Sequence, residues 1–303
     1  MLNELQASSE ALDSKQNPFA IRFYRTFFTY RTRSGTRAIQ TRRAQRVAVA
    51  GFWIVCLLTL TLNSLAQTTE DNSATKNPQA ASVLSASLAA MGGQAFFASI
   101  QDSTVSGQMQ SIDTQQPPDQ FVWKTMGMAI RHEYSMADGL YVSIVNQGQG
   151  QSKDPSGSIT PLNARSSMTI LPYHMPGILL LFLLTSQNIS LTIVNQPSSD
   201  PQFIHVSAVQ QLQDSTKNYL TAQEWEFDPA TSLPVKVTFY LPDVQNQVHD
   251  DNASVAYTSW QRTSDALFPQ TLQLFTDADL QSQCTLQTPV LNQGLNPSDF
   301  QLQ

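Results

Sequence analysis

The first groups in this chain that could act on a substrate are carboxylates two residues apart. In "EWEFD", strand periodicity places Glu224, Glu226 and Asp228 on one face and Trp225 and Phe227 on the other. Carboxyl groups at that spacing sit about 7 Å apart, a separation that acid/base hydrolysis of a glycoside can use. The same alternation also describes a solvent-facing strand over a buried aromatic face, and no companion acid stands in a recognisable context. The four histidines are scattered. His132 and His205 fall in strands, His174 precedes an apolar run, and His249 lies in "VHDDN" beside Asp250 and Asp251. The last group could hold a hard cation, yet His, Asp and Asn are also ordinary turn formers. Gly148 and Gly150 have neither a third glycine nor a following helix to make a phosphate cradle. Nucleophile-elbow, phosphate-loop and paired-histidine metal patterns are absent. The expectation is therefore a protein that is not an enzyme, with no catalytic residue, no metal and no cofactor.

The elements that would position these groups are mostly strands. Period-two alternation predicts strands at 105–112, 120–126, 129–136, 140–146, 191–195, 203–210, 221–227, 235–241, 254–261, 268–275 and 284–287. Residues 147–158, "QGQGQSKDPSGS", read as a long mobile loop. Residues 81–100 carry a helical apolar stripe interrupted at Gly92-Gly93, and 171–186, "LPYHMPGILLLFLLTS", read as a helix with Pro176 near its first turn. About eleven short strands with one or two helices predict a mainly β, α+β fold. Its expected form is an antiparallel, incomplete β-barrel wrapped around the helices. The "ILLLFLL" stretch is apolar around its whole circumference, so it must be covered on every side or face lipid.

Charge divides the chain. Residues 1–46 carry nine Lys or Arg against three acids, residues 47–66 carry no charge, and the remainder has a formal charge of −12. An acidic globular part offers no footprint for a phosphate backbone, which excludes nucleic acid as the expected partner. The basic arm is followed by a sixteen-residue apolar run from Val47 to Leu62 and by small residues at Ser64 and Ala66. That order is the pattern of a secretory signal cleaved after Ala66. The run is also close to the lower limit of about 17 residues for a spanning helix, so if uncleaved it would be a membrane anchor. In either case residues 67–303 are expected outside the cytoplasm, periplasmic or membrane-anchored, since positive flanks stay inside. The expected divisions are a basic arm at 1–46, the apolar segment at 47–66, a flexible linker at 67–80 and one domain at 81–303. Cys284 is the sole thiol after residue 66, so that part can hold no internal disulfide. It reads as a small apolar strand residue.

Three stretches resemble LolA/LolB-like periplasmic domains. One is a helix ending in Met91-Gly92-Gly93, then a small helix and a first strand with a lone glycine in Val105-Ser106-Gly107. Another is "WEFDPATSLPVKVTFY" (225–240), where a strand ends in Asp-Pro and a Leu-Pro turn leads to the next. The third spans 266–302, with a Phe-Pro strand, a later strand bearing an Asn, and a tail containing Asp-Phe. The resemblance covers about residues 81–303. It implies an incomplete barrel with an apolar cavity that, in relatives, shelters lipid or the acyl chains of lipoproteins. No ligand residue carries over from the family.

The function expected is binding of a lipid, lipoprotein acyl chain or other apolar ligand. Phe96, Phe97, Ile178, Leu181, Phe182 and Leu183 are the candidate cavity or lid groups. The alternative is a membrane-anchored structural or sensory domain that acts through contact with another envelope protein.

Overall fold

The structure, a computed structural model, describes residues 74–112, 116–146, 148–162, 164–194, 202–213, 218–242 and 250–302. The basic arm, the apolar segment from Val47 to Leu62, and His249 lie outside them. Among the described residues, no helix is long and apolar enough to cross a membrane.

Alternation of side chains builds the sheet. In β2 (Asp119–Met126), Phe121, Trp123 and Thr125 are buried while their neighbours are half-buried; this is the pleat of a strand with one face on a core. From β1 (Asp102–Ser111) the chain meanders outward through β2, β3 (Ala129–Met136), β4 (Gly139–Asn146), β5 (Gln149–Lys153) and β6 (Ile159–Leu162). It crosses by two helices, α3 (Ala164–Thr169) and α4 (Pro176–Thr185). It resumes at β7 (Ile189–Ile193), the opposite edge. The return runs through β8 (Ile204–Gln213), β9 (Asn218–Phe227), β10 (Pro234–Pro242), β11 (Asp250–Arg262), β12 (Leu267–Thr276) and β13 (Asp279–Leu286). β13 pairs antiparallel with β1, joining the two wings, and β14 (Val290–Leu291) also pairs with β1. The described strands number fourteen in one unclosed sheet with edges at β6 and β7.

The expected incomplete antiparallel barrel around helices is what forms, with three strands added. One of them, β5, arises within the expected mobile loop at 147–158, and β6 follows directly after it. β5 holds no large apolar side chain to reveal a period, but its backbone pairs with β4 from Val142↔Lys153 to Asn146↔Gln149. Asp154 closes the turn to β6, its carboxylate accepting from the Ser158 amide at 2.9 Å. The third is β14, too short to show alternation.

Two helices precede the sheet. α1 (Pro78–Met91) starts three residues before the expected boundary, with Pro78 at its first position and the Asn77 carboxamide oxygen accepting from the amides of Gln79 and Ala80. It ends at Gly92 (φ 142°), and Gly93 (φ 97°) leads into α2 (Gln94–Ser99). Gly92 is required twice over, since a Cβ there would also lie 2.9 Å from the Asp265 carbonyl oxygen. The turn delivers Phe97 into the core and sets Phe96 and Ile100 against its margin. α4 begins at Pro176 and not at Leu171, because proline restricts the residue before it away from helix. Its residues Ile178, Leu179, Leu180 and Leu183 are buried, and Leu181, Phe182 and Leu184 pack at the edge of the same core. Lys76 donates from Nζ to the Leu184 carbonyl at the end of α4.

A smaller cluster lies on the outer face. The tail after β14 crosses β3 and β4, where Phe300 packs with Ala129, Val142 and Ile144. The buried Asp102 carboxylate pins this tail by accepting from the amides of Gln293, Gly294 and Leu295 at 2.8–3.1 Å. Asn292 adds a bond from the Gln101 amide to its side-chain oxygen at 2.7 Å.

Two substitutions test this packing. A Cβ at Gly177 would stand 2.2 Å from Cε1 of Phe97. Gly177→Ala should therefore lower stability by about 1–3 kcal/mol in urea unfolding, despite alanine's helix advantage of about 1 kcal/mol. Adding Phe97→Leu should restore part of the loss; a single variant as stable as the parent would show that the two helices are not in this contact. Asp102→Ala removes the acceptor of three amides and should cost about 2–3 kcal/mol. Limited proteolysis should then release the tail beyond residue 287 faster than in the parent, and equal cleavage rates would contradict its role as the pin.

Candidate functional site

The inner face of the sheet is not filled evenly. Over β7–β9 the apolar helices cover it closely, with Val206, Trp225, Leu191 and Leu180 all fully buried. Farther along, a hollow of about 100 Å³ remains, or about 890 Å³ with the solvent at its mouth included. Its floor comes from Trp123, His132, Tyr134 and Ser143 on β2–β4 and from Phe239, Leu241, Val255, Leu272 and Leu274 on β10–β12. Its roof is the end of α3 with residues 170–174.

Residues 170–175 form the roof because Pro176 keeps them out of α4. They fold tightly instead, with the Tyr173 amide donating to the Leu171 carbonyl at 2.7 Å and the Met175 amide to Pro172 at 2.8 Å. Tyr173 holds the roof down by stacking on Phe239, centroids 4.6 Å apart and planes 10° from parallel. Its carbonyl accepts from the Tyr257 hydroxyl at 3.0 Å. Burial pushes both phenols above their ordinary range, so they stay neutral.

Two histidines face this hollow, His132 from β3 and His174 from the roof. They flank the Trp123 indole with ring centroids 5.2 and 4.9 Å away. Burial holds His132 down to about 3 and His174 well below its usual value, the latter helped by the other imidazole.

The six residues expected to line a cavity or lid lie elsewhere. Phe96 and Phe97 make an edge-to-face pair at 5.2 Å and both meet Phe268. Phe97 lies over Gly177, and Ile178, Leu181, Phe182 and Leu183 share the α4 core. None of the six is among the lining residues of the hollow. Sequence reading missed His132 and His174 as a pair. Period two does place His132 on the inward face with Ile130 and Tyr134, and His174 interrupts an otherwise apolar stretch.

The remaining chemical candidates have structural occupations. Glu224 meets Nδ1 of His205 at 2.9 Å, and Glu226 meets Nζ of Lys236 at 2.7 Å. Trp225 and Phe227 are buried on the opposite face, as the alternation required. Cys284 is fully buried, and burial pushes its thiol up to about 12. Among the described residues, no group of three or more His, Cys, Asp or Glu gathers to hold a metal ion.

The chain is similar to a solved LolA superfamily protein from Nitrosomonas europaea, with 13% identity and a TM-score of 0.46 over 73% of this chain and 97% of that one. It is also similar to a solved DUF1329 family protein from Desulfovibrio piger, with 8% identity and a TM-score of 0.47 over 74% and 99%. No protein-family model and no curated protein matches the sequence. These likenesses concern the path of the chain alone.

The buried imidazoles give the domain a pH dependence of defined sign. Their folded pKa values lie below the unfolded value of about 6.5, so the unfolded chain gains protons first as pH falls. Their contribution is complete above pH 6.5 and is lost as pH falls toward the folded values, about 3 for His132. Stability should fall over that window by up to about 1.4 kcal/mol per pH unit for each histidine. His132→Gln should flatten the slope of urea-midpoint stability against pH, and an unchanged slope would count against a neutral buried imidazole.

Proposed function

We propose that this chain is a non-enzymatic binding domain that takes an apolar ligand, a lipid or acyl chain, into the hollow beneath residues 170–174. One observation carries the reading: the concave face holds a pocket walled mainly by aromatic and aliphatic side chains, the usual composition of a small-molecule site. Its enclosed room is smaller than the roughly 150 Å³ apolar cavity known to admit benzene. A long chain therefore enters only if the roof rises, with Tyr173 leaving Phe239 and its bond from Tyr257. The basic arm and apolar run before the domain support delivery to the outer side of a membrane, where lipids and lipidated proteins are handled.

Mass spectrometry of protein purified gently from cells should find a co-purified lipid and, in the same measurement, the mature N-terminus. After delipidation the protein should bind Nile red, and a lipid extract should displace it. Protein that carries no lipid and takes up no dye would overturn the reading.

A further inference from the structure

The hollow is apolar in area but not in every atom. His132 and His174 are only 7% and 2% exposed. Among the described residues, neither ring nitrogen of His132 has a hydrogen-bond partner, and neither has Nε2 of His174. The Tyr173 hydroxyl is buried and unpartnered as well. All three side chains line the same hollow, and the two imidazole centroids are 6.0 Å apart with planes at 65°. Buried polar atoms nearly always find partners, so several orphans around one void point to an occupant. A neutral imidazole presents one N–H donor and one acceptor nitrogen, and a phenol can do either.

The chemistry of that occupant can be narrowed. Among the described residues, no Lys, Arg, Asp or Glu lines the hollow. Burial keeps both imidazoles uncharged, so nothing there balances a phosphate or carboxylate. An unbalanced ion is costly in such a place, whereas a neutral group that both donates and accepts satisfies the orphans directly. We propose that His132 and His174 form the polar end of the cavity and hydrogen-bond the uncharged head, a hydroxyl or similar donor–acceptor group, of an otherwise apolar ligand. This rests on the apolar-binding reading above and adds the identity of the recognised head.

Three probes of nearly one size separate the terms: benzene, phenol and benzoate. The full chain, labelled with ¹⁵N-histidine, is titrated with each while ring-nitrogen signals and affinities are followed. Phenol should bind about three- to tenfold more tightly than benzene, the gain of one net hydrogen bond. It should move the ring signals of His132 and His174 and leave that of His205, which is paired with Glu224 outside the hollow. His132→Gln and His174→Gln assign the signals and should shrink the phenol preference while sparing benzene affinity. Should a variant fail to fold, the two signals that move with phenol in the parent still decide. Equal affinities for phenol and benzene would overturn the polar-end assignment and leave apolar binding intact. Benzoate binding more tightly than phenol would overturn the uncharged head. Binding of none of the three by protein that takes up Nile red would overturn the polar-end assignment and leave apolar binding intact.

Discussion

Everything in this domain follows from one crossing. The sheet is laid down as two meanders that meet at β1 and β13, so the chain must travel from one free edge, β6, to the other, β7. α3 and α4 make that journey, and α4 makes it within the concave face. A helix in that position is covered on most of its circumference, which is why "ILLLFLL" can be apolar all round. Remove the crossing helix and α1, α2 and β7 lose a shared packing partner; remove the sheet and the helix has nowhere to stand.

Close packing around that crossing sets the demands on smaller residues. Phe97 can reach α4 only because Gly177 presents no side chain, and α2 can aim Phe97 there only because Gly92 takes a backbone conformation and an approach closed to other residues. Gly107 answers a similar demand on β1, where a Cβ would stand 2.3 Å from the Thr285 carbonyl oxygen. The same region is tied from outside. Asp102 starts β1 and holds the tail that buries Ala129, Val142 and Ile144 on the outer face. Helices inside and tail outside thus meet at the strand that joins the two wings.

How much of this was legible in the sequence depended on the kind of interaction. Strands with one buried face announced themselves, because Trp225 and Phe227 alternate with Glu224, Glu226 and Asp228, and Phe121 and Trp123 stand two residues apart. The glycine pair after Met91 and the Asp228 turn were equally plain, since both follow from local backbone and side-chain geometry. β5 and β6 were hidden because backbone pairing holds them and no apolar period marks them. The hollow was hidden for a different reason. It is a volume left between β2–β4, β10–β12 and the roof, and no local pattern encodes a gap between segments more than a hundred residues apart. The apolar residues most visible in the sequence, in α2 and α4, belong to the packed core and are not among the lining residues of this hollow.

The unfilled place also carries the least expected side chains. Each buried, unsatisfied polar group costs about 1–3 kcal/mol, against a net stability for such domains of about 5–15 kcal/mol. Two imidazoles and a phenol without partners around one void are therefore a substantial fraction of what holds the fold together. Leucine or phenylalanine at positions 132 and 174 would fill the space and remove that cost, so stability alone gives no reason for histidine there. Under the proposed reading, a polar head between the rings would turn these atoms into the bonds that select it.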